Sequence, residues 1–307
     1  MENVKKSFSI LFWFAAVLAC ITLSASLASA QPTQVRTSVY VLSLGKFDVS
    51  SGSYTVDFYL SMECDAPCEP DFEFMNGRAT SVDKLIDEPN SKFYRVQANL
   101  AENIDLKTYP FDEHALMVTL EDKRRQANEL VFVPDDAQSG VDPKVVLVGW
   151  ELDGWNATSE THHYAPYDED YSRYSFALSI RRIFLASVMK TFLPVLFIVI
   201  VGLLALLIEE RDKLWTRIGI NTSALLAAVM FHLNVTSSIP PVGYLTFADK
   251  FMLVTYVVLV LSLLSTIVMM MHAKRDDARL EKKIYDISLV GIPLLTLIGY
   301  ALLFVIR

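Results

Sequence analysis

The sequence lacks the motifs that mark enzymes. It contains no HExxH, GxSxG or phosphate-binding loop motif, and no pair of CxxC motifs with the spacing of a zinc site. Basic residues are few: 27 against 35 acidic residues give a net charge of −8, which argues against a nucleic-acid-binding surface. Internal repeats and low-complexity linkers are absent as well. We therefore predict no enzyme activity, no catalytic residues, no cofactor, no metal site and no nucleic-acid partner.

Cysteine is also scarce, with three in 307 residues, which argues against a disulfide-rich scaffold. Residues 1–30 have the pattern of a secretory signal peptide, with two lysines, an apolar stretch and a small-residue cleavage site. An uncleaved signal anchor is the alternative. In an exported domain, Cys64 and Cys68 are expected to form a disulfide, the alternatives being unpaired thiols or an incidental metal-binding pair.

Apolar residues, in contrast, make up 52% of the chain, and the long uncharged runs lie in its second half. Three runs, at 191–208, 251–271 and 287–306, each approach the roughly 20 residues that cross a bilayer. A weaker run at 218–236 is the fourth. We predict a membrane domain at residues 184–307, with crossings at about 184–208, 216–237, 250–272 and 286–306.

The basic residues of the loops orient these crossings. The second loop carries only Lys250, whereas the first and third loops together carry eight lysines and arginines. The positive-inside rule therefore places the first and third loops in the cytoplasm, and the N-terminal domain and the C-terminus outside.

Residues 31–183 are polar and strand-like. The segments 38–44 and 54–60 alternate in hydropathy and are rich in β-branched and aromatic residues. Short strands separated by turns predict an all-β, antiparallel, immunoglobulin-like sandwich outside the membrane. Further strands are expected at 93–100, 115–120, 129–133, 145–152 and 174–180.

The weak fourth run has polar residues at helical spacing. One stripe is small and polar at both ends and apolar in the middle, and Asn221 and Asn234 add further polarity. A helix that lines water between like helices would keep such residues, whereas packing in a monomeric bundle, with small residues as contact points, is the alternative. The stripe consists of Gly219, Ser223, Leu226, Met230, Leu233 and Ser237.

Four motifs resemble those of one family. The segment DLKTYPFDEHALMVTL (105–120) is similar to a signature loop with a Pro-Phe-Asp core, and FLPVLF places Pro194 in the first crossing. Arg217 lies nine residues before Leu226, and SSIPPVGYLTFADKFM follows the weak crossing. In this order, they resemble the pentameric ligand-gated ion channels, or Cys-loop receptors. Glu102 and Leu116 replace the signature cysteines, so the chain looks like a prokaryotic-type member with a shortened extracellular domain.

The resemblance implies a homopentamer with an all-α, four-helix transmembrane domain in a bacterial inner membrane. The outer domain and C-terminus would lie on the periplasmic or extracellular side. It implies a ligand- or proton-gated channel whose partners are membrane lipids, small ions and an unknown small-molecule ligand or protons. Thr216 and the stripe would line the pore. Thr216 replaces a glutamate, and Arg217, Lys213 and nearby carboxylates would set selectivity, which we expect to favour cations. A non-conducting membrane-anchored sensor of the same architecture is the alternative.

The family also implies residues that couple the two domains. Asp48, Asp112 and Arg182 are expected to form a charge cluster at their interface, with three unrelated surface charges as the alternative. Arg181 could substitute for Arg182. The remaining coupling residues expected from the resemblance are Pro110, Phe111, Pro240 and Tyr244.

An aromatic segment before the last predicted strand matches the position of the family's agonist-capping loop. Tyr164, Tyr167 and Tyr171 are the candidate ligand-binding residues, because aromatic rings can enclose a cation. A solvated acidic loop is the favoured alternative. His232 in the weak crossing is either a titrating group between helices or a hydrogen-bonded neutral side chain.

Overall fold

The computed structural model describes residues 31–209, 211–275 and 277–305. The predicted signal peptide at 1–30 lies outside the described residues. Ten strands precede the helices along the described chain. They are β1 (Thr33–Leu44), β2 (Ser53–Cys64), β3 (Phe72–Phe74), β4 (Gly77–Asp87), β5 (Ser91–Ala101), β6 (Glu113–Asp122), β7 (Leu130–Pro134), β8 (Gly140–Val141), β9 (Trp150–Tyr164) and β10 (Glu169–Arg182).

The strands form two sheets that pack as a sandwich. One has the order β4-β5-β2-β1-β7, with β8 also paired to β1, and the other has the order β3-β6-β10-β9. The expectation of a wholly antiparallel sandwich is wrong in one respect, since β1 pairs in parallel with β7 and β8. Between β2 and β7 the chain passes between the two sheets. Strand β7 therefore reaches the edge beside β1 without a hairpin turn, and the two strands run in the same direction.

Alternating side chains fill the space between the sheets. In β5, Tyr94, Val96, Ala98 and Leu100 are buried and their neighbours face outward, as the two-residue period of a strand requires. These residues and the inward side chains of β2, β6 and β10 belong to one apolar core. Cys64 and Cys68 lie at its edge and are joined by a disulfide.

Two differences from the predicted strands have local causes. The predicted strand at 145–152 is absent before Trp150, because the chain there makes turns closed by backbone hydrogen bonds and Gly149 has a φ of +89°. Strand β4 was not predicted. It lies at a sheet edge and is largely exposed, so it lacks a strong alternation of apolar residues.

The helical region begins directly after β10. Phe192 interrupts the first crossing just before Pro194, whose ring cannot continue the hydrogen bonds of the preceding helix. The described helices include four stretches long and apolar enough to span a membrane. The α-helices are α1 (Phe184–Thr191), α2 (Leu193–Leu204), α3 (Leu214–Thr236), α4 (Phe247–Lys274) and α5 (Ala278–Val305), with short 3-10 helices at Ala205–Leu207 and Arg211–Lys213.

Helix α4 lies at the centre of the bundle and packs against α2, α3 and α5. A capping box begins it, in which the Thr246 hydroxyl accepts from the backbone N–H of Asp249 and the Asp249 carboxylate accepts from that of Thr246. Helix α3 contacts the bundle along one side only, so it has one buried face and one exposed face.

Candidate pore helix and coupling interface

Helix α3 has one buried and one exposed face. Its buried residues follow the helical period and pack toward the rest of the bundle: Leu214, Arg217, Asn221, Ala224, Ala228 and Val235. The seven predicted pore-lining residues all lie on the exposed side: Thr216, Gly219, Ser223, Leu226, Met230, Leu233 and Ser237. The large apolar members of this set are more than half exposed: 63% for Leu226, 60% for Met230 and 58% for Leu233.

Two polar residues of α3 lie elsewhere than predicted. Arg217 and Asn221 were expected at the inner mouth and on a water-lined face, but both are fully buried between helices. The Arg217 guanidinium donates to the Ser265 hydroxyl at 3.1 Å, and the Ser262 hydroxyl donates to Asn221 Oδ1 at 3.0 Å. Both expectations were wrong because these positions share the helical phase of Ala224 and Ala228, which faces α4.

Asp112 and Arg182 form a buried ion pair where the sandwich meets the helices. Asp112 is fully buried, and its Oδ1 accepts a 2.6 Å hydrogen bond from Nε of Arg182. Arg182 ends β10, and α1 begins at Phe184. The pair thus fastens the loop before β6 to the junction of the two domains.

Three further side chains surround this pair. His114 Nε2 lies 2.7 Å from Oδ2 of Asp112, and the Arg182 guanidinium lies 4.5 Å from the ring centre of Trp150 and 5.0 Å from that of Tyr109. Burial acts to raise the pKa of the Asp112 carboxyl, but the His114 hydrogen bond and the Arg182 charge outweigh it and lower the pKa below its ordinary value. Asp112 is therefore held ionised against the guanidinium.

Asp48 does not join this cluster in the described structure. Its carboxylate instead accepts hydrogen bonds from the backbone N–H and hydroxyl of Ser50, at 2.8 and 2.6 Å, in the turn at 45–52. Its prediction as a partner of Arg182 was wrong because a local Asx hydrogen bond satisfies it. Arg181 points to the other side of β10 and pairs with Glu151, so it does not substitute for Arg182.

Backbone hydrogen bonds join two loops across the domain junction. We call residues 102–112 the Pro110 loop and residues 237–246 the Tyr244 loop. The Tyr244 hydroxyl accepts from the backbone N–H of Leu106 at 2.9 Å. At the start of α4, the N–H groups of Phe247 and Ala248 donate to the carbonyls of Lys107 and Tyr109, at 2.8 and 3.0 Å. The Pro110 loop therefore contacts the segment that links α3 to α4 at its α4 end.

Phe111 fills the space beneath the Pro110 loop. Its ring lies 5.3 Å from Phe184, 5.5 Å from Phe192 and 5.9 Å from Phe247, measured between ring centres. Such aromatic contacts stabilise the junction by roughly 0.5–1.5 kcal/mol each beyond the area they bury.

The two predicted proline positions differ in their surroundings. Pro110 follows a cis peptide bond at the centre of the loop. Pro240 is half-buried in the Tyr244 loop. Ile239 before it and Val242 after it pack against an apolar cluster that includes Leu106 and Tyr109.

His232 connects α3 to α4. Its Nε2 lies 2.9 Å from the Asp249 carboxylate and its Nδ1 lies 2.9 Å from the Tyr256 hydroxyl. Because Asp249 also belongs to the capping box of α4, His232 links the C-terminal half of α3 to the N-terminus of α4. The hydrogen bonds of His232 to α4 are present in the structure, and both of its predicted roles stay predictions.

The three candidate ligand-binding tyrosines lie around the β9–β10 hairpin. Tyr164 donates a 2.9 Å hydrogen bond to the buried carboxylate of Glu121 and lies 5.7 Å from the ring of Tyr171, whereas Tyr167 is 74% exposed at the tip. A cavity of about 940 Å³ in the outer domain is lined instead by residues of β3 to β5 and 122–125. No metal-binding cluster occurs among the described residues.

Sequence reasoning missed His114 and Tyr109 as part of the junction. His114 had a usable signal, because it lies two residues after Asp112 and so shares a face with it at the start of β6. Tyr109 had none, since its ring contact with Arg182 joins residues 73 positions apart in the sequence.

Comparison with known proteins bears on this geometry. No family model matches the chain. A proton-gated ion channel of Gloeobacter violaceus is 22% identical over 253 residues, which are 74% of this chain and 70% of that protein. The neuronal acetylcholine receptor subunit alpha-10 of Rattus norvegicus is 25% identical over 167 residues, 54% of this chain and 37% of that subunit.

These relatives are ion channels and not enzymes, in agreement with the expectation from the sequence. The four apolar helices make the chain a multi-pass membrane protein. A β-sandwich followed by four such helices, in a chain with these two relatives, fits the architecture of the Cys-loop family of ligand-gated ion channels.

Proposed function

We propose that five copies of this chain surround a shared axis and form a ligand- or proton-gated ion channel, with α3 lining the pore. One observation supports this most directly: the stripe selected from the sequence as pore-lining coincides with the face of α3 that the subunit leaves uncovered. The names of the two relatives, a proton-gated channel and an acetylcholine receptor subunit, support the gating class.

The polarity of the exposed face favours water over lipid. Thr216, Ser223 and Ser237 lie on it, at three different depths of the helix. Polar side chains in membrane helices normally face a bundle interior or a water-filled cavity, because lipid offers them no hydrogen-bonding partner. In a pentamer these hydroxyls would face the aqueous axis.

Leu226, Met230 and Leu233 would form apolar rings in the outer half of the pore. A narrow apolar ring blocks ions by dewetting, since no dipole replaces the water that an ion must shed. Opening would require these rings to widen or rotate away. The buried Asp112–Arg182 pair, the Tyr244 loop and the His232–Asp249 contact provide a continuous route from the outer domain to this part of α3.

The proposed subunit has its β domain, residues 31–183, outside a bacterial inner membrane and its membrane domain at residues 184–307. Loop charges support this orientation. Cation selectivity is also part of the proposal. The buried position of Arg217 removes one positive charge from the inner mouth, where two carboxylates, Glu209 and Asp212, remain exposed beside the cation Lys213. The outer-domain tyrosines Tyr164, Tyr167 and Tyr171 remain proposed contacts for a small-molecule agonist.

The substitution Leu226→Ser tests the pore assignment. Purified protein is reconstituted in planar bilayers, and currents are recorded across pH and with a panel of amines and divalent ions. Five serines in place of the apolar ring should ease hydration and raise the open probability about tenfold or more, since roughly 1.4 kcal/mol in the closed–open equilibrium is a factor of ten.

A matched control is Leu297→Ser, because Leu297 is a leucine of similar exposure, 70% against 63% for Leu226, on α5 instead of α3. It should leave the open probability unchanged. Equal effects of the two substitutions would contradict the pore assignment. The absence of any current from the wild-type protein and from Leu226→Ser would favour the non-conducting sensor.

A further inference from the structure

Glu102 is a half-buried carboxylate at the start of the Pro110 loop. It follows the last residue of β5 and lies between the two sheets of the sandwich, close to the junction with the helices. Its backbone N–H donates to the carbonyl of Gly52 at 3.0 Å. A side chain at Gly52, which has a φ of +68°, would collide with the Glu102 carbonyl, so the turn at 45–52 and the Pro110 loop touch here.

No cation compensates the charge of Glu102 among the residues that the structure describes. Its one hydrogen bond there from a side chain comes from the amide of Asn76, at 2.7 Å. The same amide donates to the carbonyl of Met117 in β6, and the Asn76 carbonyl accepts from the N–H of Thr119. Asn76 is thus held by β6 and presents a fixed neutral donor to the carboxylate.

The other titratable group that faces this site is Tyr54 of β2. Its hydroxyl donates to the Met117 carbonyl and accepts from the Asn76 amide. Burial and the negative charge of Glu102 raise the pKa of Tyr54, so this hydroxyl remains protonated. Burial likewise raises the pKa of Glu102, and the Asn76 hydrogen bond opposes it only in part. Asp48, in the turn at 45–52, accepts a hydrogen bond from the Ser50 hydroxyl and does not contact Glu102 in the described structure.

We propose that Glu102 is the proton-binding site through which acid activates this channel. The inference rests on the proposed function, and it names protons as the agonist and Glu102 as their receptor group. A half-buried carboxylate with no cationic partner is stabilised by proton uptake, whereas the neighbouring Asp112 is ionised by its partners and cannot serve the same role.

The position of Glu102 explains how proton binding would reach the helices. Protonation removes an uncompensated negative charge beside Asn76, on the residue whose backbone joins the Pro110 loop to the turn at 45–52. The Pro110 loop carries Asp112 and the carbonyls that bind the N-terminus of α4. Protonation of Glu102 would therefore act at the start of a loop that binds the N-terminus of α4.

Three variants test the assignment by recording currents in bilayers between about pH 8 and pH 4. Wild-type current should rise at least about tenfold on acidification, because a one-unit difference in pKa between two states shifts their equilibrium tenfold per subunit. Glu102→Gln should lose this response. Glu102→Asp should keep it with a shifted midpoint, and Glu160→Gln, at an exposed position of β9, should match the wild type.

An acid response that survives in Glu102→Gln would overturn the inference, as would a wild-type current that acid does not activate. Failure of the proposed function has a different signature, namely no current from the wild type or from Leu226→Ser at any pH.

The thermal midpoint of detergent-solubilised protein gives a second measure, which needs no current. Because the pKa of Glu102 is raised in the folded protein, its stabilising effect is complete below the ordinary value of 4.5 and is lost as pH rises through the folded value. The midpoint difference between wild type and Glu102→Gln should therefore change with pH. A constant difference across this range would show that Glu102 binds no proton there, and would refute the site. Glu160→Gln should show a constant difference.

Discussion

Removal of the Arg182 side chain should weaken the domain junction far more than removal of its neighbour. In Arg182→Gln the buried carboxylate of Asp112 loses a 2.6 Å charged hydrogen bond. Breaking a buried pair by deleting one partner costs roughly 3–5 kcal/mol. We take the lower end, about 3 kcal/mol, because His114 still contacts Asp112 and the Arg182 side chain is itself 21% exposed. At roughly 2–4 °C per kcal/mol, the thermal midpoint should fall by about 6–12 °C.

Arg181→Gln is the matched control, since it makes the same chemical change one residue earlier. Arg181 and Glu151 are each about half exposed, and an ion pair of that kind contributes roughly 0–1 kcal/mol. Unfolding of the solubilised protein, followed by circular dichroism, measures both variants. Equal small shifts for the two arginines would refute the argument that Arg182 is the residue that couples the domains.

A double-mutant cycle with Asp112→Asn separates the pair from its surroundings. Directly contacting residues give interaction energies of roughly 0.5–3 kcal/mol, whereas independent sites add to within about 0.5 kcal/mol.

Because the pKa of Asp112 is lowered in the folded protein, the stabilisation it provides is complete above the ordinary value of 3.8 and is lost as pH falls through the folded value. The stability difference between wild type and Asp112→Asn should therefore shrink at low pH.

Two further predictions concern the junction and the pore. Tyr244→Phe leaves the backbone N–H of Leu106 without its 2.9 Å partner, so the free energy of unfolding of the solubilised protein should fall by roughly 1–3 kcal/mol. Tyr256→Phe on α4 is the comparison, because it removes the hydroxyl that contacts His232 and leaves the Leu106 contact intact. Cation selectivity predicts a reversal potential that follows the sodium or potassium gradient; a potential that follows chloride would contradict it.

The spacing of residues in the sequence indicates which side chains are buried where a helix or strand buries one face and exposes the other. The stripe from Gly219 to Ser237 falls on the uncovered side of α3 because a spacing of three and four residues defines one face whatever the neighbours are. The same rule, applied to Arg217 and Asn221, would have placed them with Ala224. Asn221 was assigned to water because of its polarity, and Arg217 to the inner mouth because of the family resemblance. The serines of α4 that contact them are far away in the sequence.

Pairings between distant segments were beyond the sequence. Arg181 and Arg182 point to opposite sides of β10, and only the register with β9 and β6 determines which of them meets Asp112. Asp48 matched the expected position but had a closer partner in Ser50. The contact of Tyr244 with Leu106 joins residues 138 positions apart, so no local sequence pattern predicts it.

The start of α4 depends on a part of the protein outside the helical bundle. A helix leaves its first N–H groups without partners from within it, and such groups are costly to abandon near lipid. Here the Thr246 hydroxyl satisfies the N–H of Asp249, while carbonyls of the Pro110 loop satisfy those of Phe247 and Ala248. The sandwich thus acts as an external cap for the third crossing. Any tilt of the sandwich must therefore carry α4 along or uncap it, so a movement of the sandwich reaches α4 before it reaches α3.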